Sequence, residues 1–491
     1  MRVFNNEDWT HYLWSRENQK ISDKDLKNFI YQYKDTTVTD FVFNVNGTVS
    51  SSPSKILETW VDKYNAREEN GVSVDYTKTY ASLAYDLFVR QGLNMYTIWI
   101  ETCKEIGINP WLSIRMNDVH FNISETELRK SVQVEKYAEH WISAHRKAKG
   151  WFCKALDYSK QFTRERMLAY ITEQVKQYDV FGVELDFTRE PFCFPCGKEE
   201  DGQKIIFDFV KEVRRILDEV GSQRGRRIAL SILGQANPIS ALKTGFDIAE
   251  IAQAGLIDLY VASPRWETVN TDIPIEIWKK LLPKKVAFGC SQGLLVRGSR
   301  QEEPKIGDVA IDMGQAAANV SRGCDIIYLF NHFDTLEDGL QAFTHENHFR
   351  RLDNIRYIYK NIGKINESES WERRIPVTYD DFVAFSEPVA TKLPITCTLE
   401  AFRLPCGRME TEREIYIHVV LKEETNPENI RVYVNTKKAE YQSDNEKIVW
   451  ANGKVYTFAI SLKTDKILGV EIESDLPITI SYVDALIPAS K

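Results

Sequence analysis

No apolar run in this sequence approaches the roughly 20 residues that cross a bilayer, so no membrane-spanning helix is expected. Cysteine is sparse and scattered, eight in 491 residues, which excludes a disulfide scaffold. Most of these cysteines sit in apolar segments (Cys103, Cys290, Cys324) and read as small buried hydrophobes. Positive charge is not in excess either. The 63 Lys and Arg face 71 Asp and Glu, a net charge of −8, which argues against a nucleic-acid binder that works by neutralising phosphates. Residues 1–9 contain no apolar stretch like a secretory h-region, so the expectation is a cytoplasmic chain, with a processed secreted protein as the alternative.

Metal and cofactor signatures are thin. Cys193 and Cys196 form a C-x-x-C, but no second pair exists to complete a zinc site. His345-Glu346-Asn347-His348 is not the H-E-x-x-H of a zinc hydrolase, and no G-x-G-x-x-G follows a strand pattern. Gly289-Cys290-Ser291-Gln292-Gly293 fits the nucleophile elbow G-x-S-x-G. That elbow must open into a helix, and here a loop-like stretch follows, so an esterase is disfavoured. No cofactor and no catalytic metal are expected.

What remains is an ordinary globular balance, 43% apolar and 27% charged, in a chain too long for one core. Up to about residue 365, short β-rich runs alternate with helical patterns. The runs are Arg2–Phe4, Asp40–Val45, Pro110–Met116, Phe181–Phe187, Arg227–Leu233, Asp258–Ala262, Lys285–Cys290 and Asp325–Phe330. Helical spacing covers Ser22–Tyr33, Thr163–Tyr178 with Thr163 as its start, Gly245–Ala254, Pro274–Leu282 and Asp308–Arg322. Strands alternating with helices imply parallel pairing, and eight of them suit an α/β fold of the (β/α)8 TIM-barrel kind over residues 1–368. A doubly wound open sheet is the alternative. The long intervals 40–110 and 110–181 are read as holding insertions. From residue 371 to 491 the pattern turns to period two (Glu414–Leu421, Ile430–Asn435, Val455–Ile460, Ile467–Ile472, Ile478–Val483), which predicts a small all-β sandwich domain.

The chemistry is sought where barrel strands end. In Phe181-Gly182-Val183-Glu184-Leu185-Asp186-Phe187-Thr188-Arg189-Glu190, alternation sends Glu184 and Asp186 to one face and Val183, Leu185 and Phe187 to the other. Two inward carboxyls are costly unless paired or functional, and like charges so close raise one pKa, giving an acid and a base in one place. The bland alternative is a buried ion pair with a nearby Arg. Other strand ends carry Asn44, then Arg115, Asn117, Asp118 and His120, then Trp266 and Glu267, and finally Asn331 and His332. Aromatic faces stack on sugar C–H surfaces while amides, guanidiniums and carboxylates meet hydroxyls, so together these residues favour a sugar site.

Here the chain resembles a known group. Gly182-Val183-Glu184-Leu185-Asp186-Phe187 is similar to the fourth-strand motif, Gly-x-x-x-Asp-aromatic, of bacterial glycoside-hydrolase-like (β/α)8 proteins. Leu156-Asp157-Tyr158 and the segment 323–332 fit the same group, over roughly residues 35–365. The resemblance implies a glycosidase-type barrel with an appended C-terminal β-sandwich. Three departures stand out. Thr188 occupies the place where chitinase-type barrels carry an acid, Glu184 the place where barrels of the α-galactosidase type carry Lys, and the seventh strand ends without a carboxylate. The expectation is a glycoside hydrolase with Asp186 as nucleophile or base and Glu184 as its partner or tuning group. Arg115, Asn117, Asp118, His120, Arg189, Glu190, Trp266, Glu267, Asn331, His332 and Asn44 would bind an oligosaccharide or glycoside. A second catalytic carboxyl is sought among Glu184, Glu190, Glu267, Asp118 and Asp334. The rival is a non-catalytic, carbohydrate-binding barrel. In the β domain, Tyr441, Trp450 and Tyr456 are candidate exposed aromatics.

Overall fold

A computed structural model of the chain describes residues 1–8, 12–13, 16, 19–69, 80–119, 136–142, 154–264, 268–298, 302–332, 352–378, 393–443, 447–464 and 466–490. The eight runs read as barrel strands are β1 (Arg2–Asp8), β2 (Asp40–Asn44), β3 (Asn109–Arg115), β4 (Gly182–Asp186), β5 (Ala229–Gln235), β6 (Leu259–Ser263), β7 (Ala287–Gln292) and, after a short β8 (Leu295–Val296) and β9 (Lys305–Ile306) hairpin, β10 (Ile326–Phe330). All eight pair in parallel, and β10 closes onto β1, so the sheet is a barrel and not an open doubly wound sheet.

Several helices differ from the sequence reading. Thr163 does not start its helix, which is Gln161–Gln177 with Thr163 buried inside it. Ser22 does cap the helix Asp23–Tyr31, through a reciprocal capping box with Asp25. The longest helix, Glu199–Gln223, had no place in that reading, and Met95–Glu105 fills part of the interval read as an insertion.

Alternation along the strands divides the residues cleanly. Val183, Leu185 and Phe187 join the core between sheet and helices, and Gly182, Glu184 and Asp186 take the other side. The barrel interior is filled by Phe4, Val42, Trp111, Leu233, Leu259, Val261, Ile326, Tyr328 and Phe330. Trp111 explains the glycine of the fourth-strand motif. A Cβ at Gly182 would fall 2.2 Å from the indole, so only glycine lets that ring lie against β4. The indole N–H donates to Asp40 at 2.9 Å, and Arg2 pairs with the same carboxylate.

The C-terminal unit is antiparallel. It comprises β11 (Arg373–Pro376), β12 (Ile395–Pro405), β13 (Met409–Leu421), β14 (Ile430–Val434), β15 (Lys437–Ser443), β16 (Lys454–Thr464) and β17 (Ile467–Ile487). The two runs read separately at 467–472 and 478–483 are one strand of 21 residues. One half of β17 pairs with β13 and the other with β14, so β17-β13-β16-β15-β14 form a closed, sandwich-like ring around an aliphatic core. Asn435 and Thr436, with φ of 47° and 69°, make the tight turn between β14 and β15.

This unit packs on the barrel through Val269, Val296 and Ile311 from one side and Val420, Trp450, Val455 and Tyr482 from the other. Trp450 is therefore buried, donating its indole N–H to the Ile306 carbonyl, and Tyr456 is buried with its hydroxyl on Thr425. Of the three aromatics expected to be exposed, only Tyr441 is.

Candidate active site

Register defines what surrounds the β4 carboxyls. Glu184 lies between Ser113 of β3 and Ser231 of β5, and Asp186 between Arg115 and Leu233. The small serines leave room beside Glu184, and that room is used from across the barrel. β10 stands diametrically opposite β4 in the strand order, and the Tyr328 hydroxyl reaches over to contact both Glu184 oxygens at 2.8 and 2.9 Å. Tyr328 received no role in the sequence reading. Its alternation with Ile326 and Phe330 was the available signal.

Asp186 is held from its own strand end. Oδ1 accepts from the Thr188 amide and hydroxyl, both at 2.8 Å, and from the Arg189 amide at 3.3 Å. Thr188, noted as a departure from chitinase-type barrels, is thus the residue that fixes the carboxylate. Arg115, one strand away, donates to Asp8 at 2.6 Å and to Asp118 at 3.1 Å, and Arg189 stands 3.9 Å from Asp118. Asp8 was missed because β1 was read only to Phe4. The polar run Asn5-Asn6-Glu7-Asp8 hides the rest of the strand, although alternation from the inward Phe4 places Asp8 inward as well.

Electrostatics separate these groups. Burial pushes Glu184 up to about 8, the Asp186 charge adds to the rise, and the bond from Tyr328 opposes it. At neutral pH Glu184 therefore keeps its proton. Burial raises Asp186 on balance, and the Arg115 charge and the Thr188 hydrogen bonds limit that rise. Arg115 loses by burial and gains more from Asp8, Asp118 and Asp186, so it stays charged. The mouth thus holds two carboxyls on adjacent inward positions in unlike surroundings, and cationic support for the charged form reaches Asp186 and not Glu184.

The remaining expected residues divide. Asn117 lies beside the cleft, but its amide donates to the Leu156 and Phe192 carbonyls and accepts from the Leu156 amide. It stitches two loops together while still lining the cleft. The Asp157-Tyr158 segment is tied down likewise, with Tyr158 donating to the Met116 carbonyl. His332 is drawn toward the helix Val309–Arg322, its Nε2 3.7 Å from Asp312. Asn331 is buried at a φ of 51°, a left-handed turn that asparagine tolerates. Glu190 is fully buried beside Cys193. Asn44 donates to the Ser113 carbonyl at 3.4 Å while its own oxygen is buried without a partner among the described residues. His120, Trp266, Glu267 and Asp334 lie outside the described residues.

Gln235 was overlooked along with Tyr328 and Asp8. It ends β5 two positions beyond the inward Leu233, is 2% exposed, and has no hydrogen-bond partner on either amide atom among the described residues. An unpaired buried amide costs about 1–3 kcal/mol, and such groups call for a ligand or water. Gln292 and Gln315 carry unpaired amides too, but alternation sends Gln292 outward with Cys290, toward the helices. A cleft of ≈ 510 Å³, counted out to its open side, adjoins the site and is lined by Asn46, Arg115, Asp118, Tyr137, Lys154 and Arg166 among others. Among the described residues no group of three His, Cys, Asp or Glu could hold a metal ion.

No protein-family model matches this chain, and no curated protein does. Solved structures do resemble it. The PgaB (BpsB) glycoside hydrolase domain from Bordetella bronchiseptica aligns with 73% of this chain and 98% of its own at 12% identity, TM-score 0.43. A family 18 N-acetylglucosaminidase from Paenibacillus barengoltzii covers 72% and 99% at 10% identity, TM-score 0.35. An alpha-L-fucosidase isoenzyme 1 from Paenibacillus thiaminolyticus covers 97% and 96% at 11% identity, TM-score 0.36. At these levels the likeness concerns architecture and not an activity.

Proposed function

We propose that this chain is a glycoside hydrolase whose reaction takes place at the C-terminal mouth of the barrel, with Asp186 as the reacting carboxylate. The observation that carries this reading is the pair on β4. Glu184 and Asp186 face the interior on one strand, where Glu184 is set to keep a proton while a guanidinium and the Thr188 donors work for the charge on Asp186 against its burial. Glycosidic cleavage needs that division, because an acid must protonate the leaving oxygen while a carboxylate attacks or activates water at the sugar carbon. In this reading Asp186 acts as nucleophile or base. Glu184, deeper and bonded to Tyr328, supplies the proton store that tunes it. Arg115 holds Asp8 and Asp118 in fixed positions, and Gln235 and Asn44 offer amide groups to sugar hydroxyls. Asp118, tied to Arg115 and close to Arg189, is the described rim carboxyl nearest to serving as a second catalytic group.

The rival, a barrel that binds glycans without cleaving them, draws support from the same contacts, since both Glu184 oxygens face Tyr328. Turnover separates the two. A panel of nitrophenyl glycosides and oligosaccharides is expected to yield a cleaved product with the native chain and none with Asp186→Asn. Binding without product anywhere in the panel would favour the rival.

A further inference from the structure

The tip of β5 is fixed from behind, while the amide it carries is left unpaired. On the helix side the Tyr260 hydroxyl donates to the Gln235 carbonyl at 2.8 Å, and the Trp278 indole N–H to the Ala236 carbonyl at 2.7 Å. Gly234 makes this approach possible, because a Cβ there would fall 2.9 Å from the Tyr260 hydroxyl. The Gln235 side chain takes the other face, inward with Leu233. The hydroxyls on either side of it are engaged. Ser263, its register partner on β6, donates to the Pro264 carbonyl at 2.9 Å and lies 2.6 Å from the Ser291 hydroxyl. Thr188, two positions past Asp186, donates its hydroxyl to that carboxyl. Neither amide atom of Gln235 has a hydrogen-bond partner among the described residues.

Gln235 and Asp186 lie at the same depth, each 2% exposed, so what reaches one can reach the other. Among the described residues every hydrogen bond to Asp186 falls on Oδ1, and Oδ2 is the oxygen left for a reacting carbon. Asp186 is in register with Leu233. With a rise of about 3.3 Å per residue and strands about 4.8 Å apart, the Gln235 Cα lies about 8 Å from that of Asp186. One pyranose ring suits that interval, its anomeric carbon about 3–3.5 Å from Oδ2 and its next two carbons turned toward the amide. An amide with N–H and oxygen side by side needs an acceptor and a donor equally close together. Two neighbouring ring hydroxyls supply them, as the paired donor and acceptor of an adenine edge do for glutamine. An acetamido group does not, since its N–H and C=O point in opposite directions from a trans amide.

We infer that Gln235 is a specificity-determining residue that holds the 2- and 3-hydroxyls of the sugar ring reacting at Asp186, so that the substrate is a glycoside with both hydroxyls free and not a 2-acetamido sugar. The inference rests on the glycosidase reading for the position of the anomeric carbon.

Titration calorimetry on the full-length Asp186→Asn chain, with turnover by the native chain on the same probes, tests it. The probes are the nitrophenyl α- and β-glycosides of glucose, galactose, mannose, xylose and fucose. The tightest binder is then compared with its 2-deoxy, 3-deoxy, 4-deoxy and 2-acetamido-2-deoxy forms. The 2-deoxy, 3-deoxy and 2-acetamido forms should each bind about tenfold more weakly than the parent, and the 4-deoxy form within about threefold of it. Adding Gln235→Leu should weaken the parent about tenfold and shrink the penalty for either missing hydroxyl to less than about threefold. A merely structural role for Gln235 would leave those penalties in place. If Gln235→Leu fails to fold, Gln235→Asn, which draws the amide back by one methylene, carries the same test. Penalties that persist in the Gln235 variants, tighter binding of the 2-acetamido form, or no binding of any probe would overturn the inference. Hydroxyl-dependent binding that is lost with Gln235, in a chain whose native form cleaves no probe, would reject hydrolysis and keep the inference. Cleavage with affinity indifferent to the 2- and 3-hydroxyls would do the reverse.

Discussion

Two carboxyls in this molecule are almost equally buried and both accept from a tyrosine, yet they are set for opposite states. Asp484, on β17 in the C-terminal unit, takes bonds from Arg374, His418 and Tyr482 at 2.6–2.9 Å. Burial alone would raise it, but Arg374 and then His418 overcome that and hold it at about 2. Glu184 has Tyr328 and a second carboxyl beside it, and it rises to about 8. The difference is the cation. A buried carboxylate with a guanidinium and an imidazole is a finished structural element, and one without them stores a proton. The same contrast separates a strut joining two units from a place where protons can be exchanged.

The sharpest way to break this contrast is to remove one charge on each side. Asp186→Asn should lower kcat by at least about a thousandfold, since the acting carboxylate is gone. Its urea midpoint should stay near that of the native chain. Asp484→Ala should do the opposite, leaving kcat within about twofold. It should destabilise by about 3–5 kcal/mol, because Arg374 and His418 lose their shared partner in the interior. Trp450 lies 5.4 Å from Arg374, so tryptophan fluorescence during urea melts reports on that junction. An Asp186→Asn chain that retains turnover would end the catalytic reading. An Asp484→Ala chain that loses turnover at full stability would end the contrast.

The pH dependence sharpens it further. Glu184 has a folded pKa of about 8 against 4.5 for the free group, so between those values the unfolded chain has released a proton that the folded chain keeps. Stability from this group is therefore whole below about pH 4.5 and declines by about 1.4 kcal/mol per unit as pH rises toward 8. Asp484 runs the other way. Its lowered pKa contributes stability that is present above 3.8 and lost only as pH falls toward about 2. Glu184→Gln should flatten the decline between pH 5 and 8 and make the chain more stable than native at pH 8, by a few kcal/mol. Urea melts across that range check it. A native chain with no such decline would show that Glu184 is ionised when folded.

Much of this was legible in the sequence, for reasons that can be stated. The eight strands were visible because their outward residues are nearly all aliphatic or aromatic. Val183, Leu185 and Phe187 fix the facing of Glu184 and Asp186 by alternation alone. Where polar residues point inward from a strand with polar residues outward as well, the pattern fails. β1 lost Asp8 that way. Long-range partners were also beyond reach, since nothing in the sequence says that Tyr328 and Glu184, 144 positions apart, lie across a barrel from each other. Asn117 and His332 were rightly placed at strand ends, but which backbone carbonyl or helix side chain would claim them depends on how the loops return. The burial of Trp450 and Tyr456 follows from domain packing that no period-two pattern encodes.

A middle-sized effect is expected at Gln235. Its unpaired amide contributes nothing to stability, so Gln235→Leu should leave the urea midpoint unchanged or slightly higher. If the amide meets a sugar hydroxyl, KM for a cleaved glycoside should rise about tenfold with kcat altered less. An unchanged KM would mean that the amide faces only water.

The smallest effect belongs to the junction's outer edge. Arg403 pairs with Asp272 across the two units, but both side chains are about two-fifths exposed. Solvent screens such a pair, and ordering two long side chains offsets part of the attraction, so Arg403→Ala should cost less than about 1 kcal/mol. Arg374 sits at the same junction with 14% exposure and two carboxylates, Asp308 and Asp484. Arg374→Met should therefore cost several times more than Arg403→Ala, by leaving Asp484 buried without its guanidinium partner. Side-by-side urea melts of the two variants decide the matter. Equal losses would mean that the junction is held by its apolar contacts, Val296, Ile311, Val420 and Tyr482 among them, and that charge plays no part in joining the units.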